Sequence, residues 1–126
     1  MRQRTATLTE QELEIMKIVW EREQATVRDV YETLLERRKV AYTTVMTMMK
    51  ILEQKGHLKK CADDKAHVYT PTKPKTAVIR NMVRDFVERV FNGSAEPLVM
   101  HLVEESHLSD KEIAEIERML KQRRRS

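Results

Sequence analysis

The stretch "AYTTVMTMMKILEQKGHLKKCADDKAHVYTP", residues 41 to 71, decides the predicted order of elements in the first half of the chain. It begins with a helix predicted from about Tyr42 to Lys55, since Gly56 follows and glycine readily adopts the left-handed conformation that ends helices. At about 100° per residue, one side of this helix is apolar. That side is expected to pack on the preceding helices and contains Ala41, Val45, Met48, Met49 and Leu52.

A β-hairpin is predicted directly after this helix. Two short strands, Leu58 to Lys60 and His67 to Thr70, are joined by the turn-forming residues "ADDKA" and end at Pro71. The hairpin is therefore expected to follow the helix with almost no connecting loop.

Two further helices are predicted before the stretch. In "LTEQEL", Thr9 and Glu12 have the spacing of a capping box, which indicates where the first helix begins. Thr26 is expected to cap the second helix. The buried stripe of that helix contains Val27, Val30, Tyr31, Leu34 and Leu35. Three helices followed by a hairpin predict a mainly α fold that begins with a winged helix-turn-helix.

The carboxyl-terminal part is predicted to be a separate helical domain. Two prolines in "PTKPK" disfavour helix and strand alike, so a boundary is expected near Lys73, between the winged helix-turn-helix domain over residues 1–73 and a helical domain over residues 74–126. Three amphipathic helices of about fifty residues bury apolar surface poorly alone, and a second copy is the commonest partner. The expected dimerisation residues are Ile79, Met82, Val83, Phe86, Val87, Val90, Leu98, Leu102, Ile113, Ile116 and Leu120.

The exposed side of the third helix has an unusual composition. We call it the threonine face, and it consists of Thr43, Thr47, Lys50 and Gln54, with Thr44 and Met46 on its flanks. A solvated helix face normally mixes acids and bases, but residues 37 to 52 contain four bases and no acid. Threonine hydroxyls can hydrogen-bond to base edges or phosphates, and threonine and methionine methyls can contact the thymine methyl. This face therefore predicts insertion into a DNA groove.

The hairpin adds basic side chains suited to phosphate or minor-groove contacts, which bind without specifying sequence. Together with the third helix and the residues before it, the hairpin gives the predicted DNA-binding set: Arg38, Lys39, Tyr42, Thr43, Thr44, Met46, Thr47, Lys50, Lys59, Lys60, Lys65 and His67. A protein-interaction module, with the threonine face contacting protein, is the alternative.

Composition and motif content limit the classes of protein and of binding site that the chain can represent. The chain has 126 residues, a formal net charge of +4 and one cysteine, Cys61, so an internal disulfide is excluded. No apolar run has the length of a signal peptide or a membrane span, and a cytosolic location is expected. His57, Cys61 and His67 match no standard zinc spacing, and a redox role for Cys61 has no support in the sequence. Neither a catalytic arrangement nor a cofactor motif is recognisable, so no enzyme and no cofactor are expected.

Three segments, "LTEQELEIMKIVWEREQATVRDVYETL", "AYTTVMTMMKILEQKGHL" and "AHVYTP", resemble the penicillinase and methicillin-resistance repressor family (BlaI/MecI/CopY). The resemblance extends from Leu8 to Leu120 and implies a homodimeric winged-helix repressor. It implies that the third helix enters the major groove in each half of a dyad operator with a TACA/TGTA core, and that residues 76 to 120 form the dimer. The groove residues it implies are Thr43, Thr44, Met46, Thr47 and Lys50.

Two departures from the family pattern bear on regulation. A membrane-bound sensor metalloprotease inactivates antibiotic-responsive members by cutting an Asn-Phe bond in the short middle helix of the dimer domain. The corresponding pair here is His101-Leu102, which is the candidate cleavage site. Copper-responsive members carry cysteine pairs near the carboxyl terminus, whereas this chain has no cysteine after Cys61, so copper sensing is not expected. A ligand-sensing repressor is a further alternative, although no buried polar constellation indicates a pocket.

Overall fold

The computed structural model describes residues 8–61 and 67–125, and within these ranges it contains six helices and three strands. Helices predominate, as the predicted mainly α fold requires. The elements are α1 (Glu10–Arg22), β1 (Ala25–Thr26), α2 (Val27–Leu35), α3 (Tyr42–Gln54), β2 (Leu58–Cys61), β3 (Val68–Pro71), α4 (Lys75–Phe91), α5 (Glu96–Glu105) and α6 (Asp110–Arg125).

The start of α1 is fixed by the predicted capping box. The Glu12 amide donates to Thr9 Oγ1 at 3.1 Å, and the Thr9 amide donates to Glu12 Oε1 at 2.9 Å. Glu12 is only 6% exposed, and Lys55 Nζ donates to its two carboxylate oxygens at 2.9 and 3.0 Å. This carboxylate therefore joins the beginning of α1 to the residue that follows α3, across 43 positions of sequence.

The ionisation of Glu12 should make folding dependent on pH. Burial alone would raise the pKa of this carboxyl, but hydrogen bonds from Lys55 and Thr9 outweigh burial and hold its pKa below the ordinary glutamate value. The ionised Glu12 carboxylate therefore stabilises the folded state fully at pH values above its unfolded-state pKa. This stabilisation is lost as pH falls through the lower folded-state pKa.

We expect Glu12→Gln to lower the free energy of unfolding at pH 7 by roughly 1.5 to 3 kcal/mol, because a charge-assisted hydrogen bond is lost. The same substitution should flatten the dependence of stability on acid pH, measured by urea unfolding between pH 3 and 7. Glu10→Gln, at an exposed position of the same helical turn, is the control. An equal flattening by Glu10→Gln would contradict this role of Glu12.

The helix α2 begins at a second capping box and is preceded by a short strand. Thr26 and Asp29 exchange two hydrogen bonds of 3.0 Å, as the predicted cap at Thr26 requires. The strand β1 pairs antiparallel with β3, and β3 pairs antiparallel with β2, which gives the sheet order β1-β3-β2. This third strand was not predicted, because two residues are too few to show an alternating pattern.

The helix α3 ends as predicted and packs through its apolar side. Gly56 has a φ of +89°, in the left-handed region that favours glycine. Val45, Met49 and Leu52 are fully buried in one core with residues from α1, α2, the sheet and α4. The other members of this core are Leu8, Ile15, Met16, Ile18, Val19, Ala25, Val30, Leu34, Leu58, Tyr69 and Val78.

Two side chains predicted to be buried are instead exposed. Ala41 precedes α3 with extended backbone angles, φ −88° and ψ 143°, so its direction does not follow the helical repeat. Leu35, the last residue of α2, is 43% exposed. It lies about 100° around the helix from Leu34, at the edge of the apolar stripe and in the last turn of the helix. Leu34, rather than Leu35, is therefore the buried residue at the end of this stripe.

The predicted linker follows the hairpin and is tied to the first helix. Trp20 donates its indole N–H to the Lys73 carbonyl at 3.1 Å. The chain divides into two compact units, the first extending to Met82 and the second beginning at Val83, so α4 contributes residues to both. The functional boundary near Lys73 stays a prediction.

The second unit leaves most of its apolar side chains exposed. Ser109 and Glu112 form the capping box of α6, with reciprocal hydrogen bonds of 2.9 and 3.1 Å, and neither α5 nor α6 contains a buried residue. Its exposed large hydrophobic residues are Val83, Phe86, Val90, Val99, Met100, Leu102, Val103, Ile113, Ile116, Met119 and Leu120. None of the helices within the described ranges is long and apolar enough to cross a membrane.

Candidate nucleic-acid interface

The threonine face lies on the outside of α3. All six of its side chains are exposed, and Met46, one of the three methionines in this half of the helix, is 44% exposed. Met49 and Val45, which follow the opposite side, are fully buried. The helix therefore presents hydroxyls, methyls and one ammonium group to a ligand while its apolar side holds it rigidly in the core.

A cleft lies between α3 and the hairpin, and we call it the α3–hairpin cleft. Residues from α3, from the two hairpin strands and their connection, and from the start of α2 line it: Thr26, Val27, Arg28, Tyr42, Met46, Lys50, Lys60, His67 and Tyr69. Among these described residues three are cationic and none is acidic. The cleft is therefore electrostatically suited to a polyanion.

Aromatic rings support two of the cations at this cleft. The ring of Tyr42 meets that of Tyr31 edge to face, with the centroids 5.3 Å apart, and the Arg28 guanidinium carbon lies 5.9 Å from the Tyr42 centroid. On the hairpin, Lys60 Nζ lies 5.9 Å from the Tyr69 centroid. Both distances are within the range of cation–π attraction, which restrains the positions of the charged groups.

The bases before α3 are partly neutralised by an acid that is distant in sequence. Glu14 of α1 accepts a 2.7 Å hydrogen bond from Arg38 and lies 3.8 Å from Arg37. Lys39 is exposed. The sequence segment itself contains no acid, so the pairing with Glu14 could not be read from local composition. Any DNA contact by Arg38 has to compete with Glu14.

The hairpin presents its predicted residues unequally. Lys59 and His67 are exposed and Lys60 is half-buried, while Lys65 lies outside the described residues. The strands extend to Cys61 and begin at Val68, so His67 immediately precedes β3 rather than belonging to it. No group of three or more histidine, cysteine, aspartate or glutamate side chains in the described segments could hold a metal ion.

The residues predicted for dimerisation and cleavage lie on the helices after the hairpin. Most of the predicted dimerisation residues are exposed, while Met82, Val87 and Leu98 are half-buried. His101 and Leu102 are both exposed inside α5, and the His101 ring lies 6.2 Å from that of Phe91. Cleavage between them requires local unwinding of the helix.

One cation of the α3–hairpin cleft was not among the predicted DNA-binding residues. Arg28 belongs to the first turn of α2, and no contact with DNA is predicted for it from the sequence. The sequence shows only that Arg28 comes two residues after the cap Thr26. That position does not indicate which other elements lie close to Arg28 in the fold. Its proximity to Tyr42 depends on the packing of α2 against α3.

Comparison with known proteins finds a matching family model and several related regulators. The family model described as penicillinase repressor matches residues 8–122. The penicillinase repressor of Bacillus licheniformis is 28% identical over 115 residues, 91% of this chain and 90% of that protein. The transcriptional regulator BlaI of Mycobacterium tuberculosis is 36% identical over 92 residues, 71% of this chain and 67% of that protein.

A solved structure supports the fold. The solution structure of the monomeric form of Bacillus licheniformis BlaI, in complex with the blaP half-operator, matches with a TM-score of 0.50 and 27% identity. The match covers 56% of this chain and 85% of that one. The predicted winged helix-turn-helix is confirmed.

Proposed function

Because the chain belongs to the penicillinase repressor family, whose members are DNA-binding transcriptional repressors rather than enzymes, we propose that it binds a palindromic operator as a homodimer. One α3 occupies the major groove of each half-site. The observation that carries this proposal is the exposed threonine face beside the α3–hairpin cleft, whose described lining residues include three cations and no acid. The related BlaI bound to a half-operator supports one DNA-binding domain per half-site.

Within the major groove, the side chains of the threonine face have different tasks. Thr43 and Thr47 offer hydroxyls and methyls to base edges, and Met46 offers a flexible apolar contact. Lys50, which also lines the cleft, can reach a guanine edge or a phosphate. A TACA/TGTA core supplies thymine methyls and adenine edges that suit these groups.

The hairpin flanks the groove and adds affinity without sequence preference. Lys59 and His67 are exposed, and Lys60 is held over Tyr69 at the edge of the cleft. Contacts of this kind release counterions from DNA, so the affinity should fall steeply as salt rises.

The second unit supplies the dimer contact in this proposal. It exposes a series of large apolar side chains on α4, α5 and α6, which a second copy can cover. A closed two-fold dimer presents two identical DNA-binding units, and its symmetry matches that of a palindrome. Promoter access is blocked while both half-sites are occupied.

Release from the operator is proposed to follow cleavage by a sensor metalloprotease at His101-Leu102. Both residues are exposed, and α5 has no buried side chain, so its local unwinding disrupts little packing within the chain. A cut there separates α6 from the rest of the chain and removes part of the apolar surface available for dimerisation.

We expect Thr47→Ala to reduce the preference for operator over random DNA by about 1 kcal/mol, because a base contact is lost. Fluorescence anisotropy with the two duplexes measures this difference directly. Thr76→Ala, an exposed threonine on α4, is the matched control and should leave the preference unchanged. An equal loss of affinity on both duplexes would show that Thr47 contacts the backbone rather than a base.

The proposed assembly is tested by its stoichiometry on DNA. Sedimentation velocity with a labelled duplex carrying the full dyad should give a saturated complex of two chains per duplex. A duplex that carries only one half-site should bind more weakly at the same salt concentration. Saturation at one chain per dyad would contradict the homodimeric repressor, and no complex at low salt would favour the protein-interaction module.

A further inference from the structure

We propose that the α3–hairpin cleft holds a DNA backbone phosphate and that Arg28 is the residue that binds it. This inference rests on the proposed function, since it assigns a contact within the same DNA complex. It adds a residue from α2 to an interface otherwise formed by α3 and the hairpin. The ligand is the phosphodiester group, and the contact contributes affinity without reading sequence.

The position of Arg28 favours this role. It lies in the first turn of α2, where the helix dipole favours an anion, and its side chain is 68% exposed. It lines the cleft together with Lys50 from α3 and Lys60 from the hairpin, so three cations from three elements surround one space. A guanidinium group matches phosphate geometry with two parallel hydrogen bonds.

Tyr42 acts as the positioning residue for Arg28. The Arg28 guanidinium carbon lies 5.9 Å from the centroid of the Tyr42 ring, and Tyr31 holds that ring from the side at 5.3 Å. Tyr42 is the first residue of α3. The contact therefore holds the Arg28 guanidinium beside the end of α3 that carries Thr43 and Thr44.

Glu32 competes with the phosphate for Arg28. The carboxylate lies one helical turn further along α2, and its oxygen is 3.3 Å from Arg28 Nη1. The pair is exposed, and exposed ion pairs of this type contribute little, so a phosphate can displace the carboxylate. In the free protein Glu32 partly neutralises Arg28, and this ion pair has to be broken before the guanidinium can bind a phosphate.

Arg28→Ala tests the proposal through the salt dependence of binding. Titrations of the dyad and scrambled duplexes at several salt concentrations should show a loss of affinity that is equal on both. The slope of log K against log salt should become shallower by about 0.9 for each DNA-bound chain. Lys17→Ala removes the same charge from an exposed position at a different cleft and is the control. A slope equal to that of Lys17→Ala would overturn the proposal.

The role of Glu32 gives an independent test by a double-mutant cycle. Glu32→Gln alone should increase affinity by about two- to fivefold, because it removes the competitor of the phosphate. The gain should disappear when Arg28 is already alanine. An equal gain in both backgrounds would overturn the proposed competition, since Glu32 would then act through general repulsion.

Tyr42→Phe and Tyr42→Leu separate positioning from a purely structural effect. Phenylalanine retains the ring face, so it should preserve the salt slope, whereas leucine should reduce it towards that of Arg28→Ala. Identical slopes for both variants would overturn the positioning role. Failure of the natural chain to bind DNA would overturn the proposed function itself, whereas normal binding with an unchanged Arg28→Ala slope overturns only this inference.

Discussion

Phe86→Asp should convert the proposed dimer to a monomer and weaken binding to the dyad operator by roughly 10² to 10⁴-fold, the size of an avidity effect between two linked sites. Phe86 lies on α4 in the second unit and is 41% exposed, with its ring 5.9 Å from that of Phe91. A carboxylate at this place would have to be desolvated when a second copy covers the surface.

The DNA-binding unit should survive this substitution, because Phe86 is outside its core. The variant should therefore bind a half-site duplex with the same affinity as the natural chain, because only one α3 helix contacts such a duplex in either case. Light scattering gives the mass, and anisotropy gives the affinity. Asn81→Asp adds the same charge at an exposed position of α4 and should leave both unchanged. A Phe86→Asp variant with the mass of a dimer would contradict the assignment of this surface.

Met49→Ala should lower the free energy of unfolding by about 2 to 5 kcal/mol, the usual range for truncating a buried methionine. Met49 is 0% exposed and lies on the core side of α3, directly behind the threonine face. The surrounding residues come from several elements, so the space left by the thioether is not filled by a small local shift.

The neighbouring methionine provides a control on the same helix. Met46 is exposed, and Met46→Ala should change the free energy of unfolding by no more than about 0.5 kcal/mol. Urea unfolding followed by circular dichroism measures both variants. Similar costs for the two substitutions would mean that α3 is rotated from the orientation described, and the threonine face would then no longer be the exposed side.

The parts of the fold that sequence predicted well are those specified by neighbouring residues. The capping box of Thr9 and the cap at Thr26 involve partners three positions away, and Gly56 ends α3 through its own backbone preference. The exposed threonine face followed from the helical repeat alone. Such signals need no knowledge of the rest of the chain.

The features that sequence missed depend on residues brought together by tertiary packing. The Glu12 contact with Lys55 spans 43 positions and that of Glu14 with Arg38 spans 24. The strand β1 forms because it pairs with the edge of β3. Arg28 lines the cleft because α2 packs on α3. No local pattern encodes these distances. The dimerisation surface and the individual DNA contacts stay predictions, because they need a partner molecule.

The most direct measurement is the fluorescence anisotropy of a labelled duplex carrying a TACA/TGTA dyad, titrated with the protein at several salt concentrations beside a scrambled duplex. We expect tight binding to the dyad, weaker binding to the scrambled duplex, and a steep loss of affinity with salt on both. Equal affinity for the two duplexes at every salt concentration would contradict base readout by the threonine face.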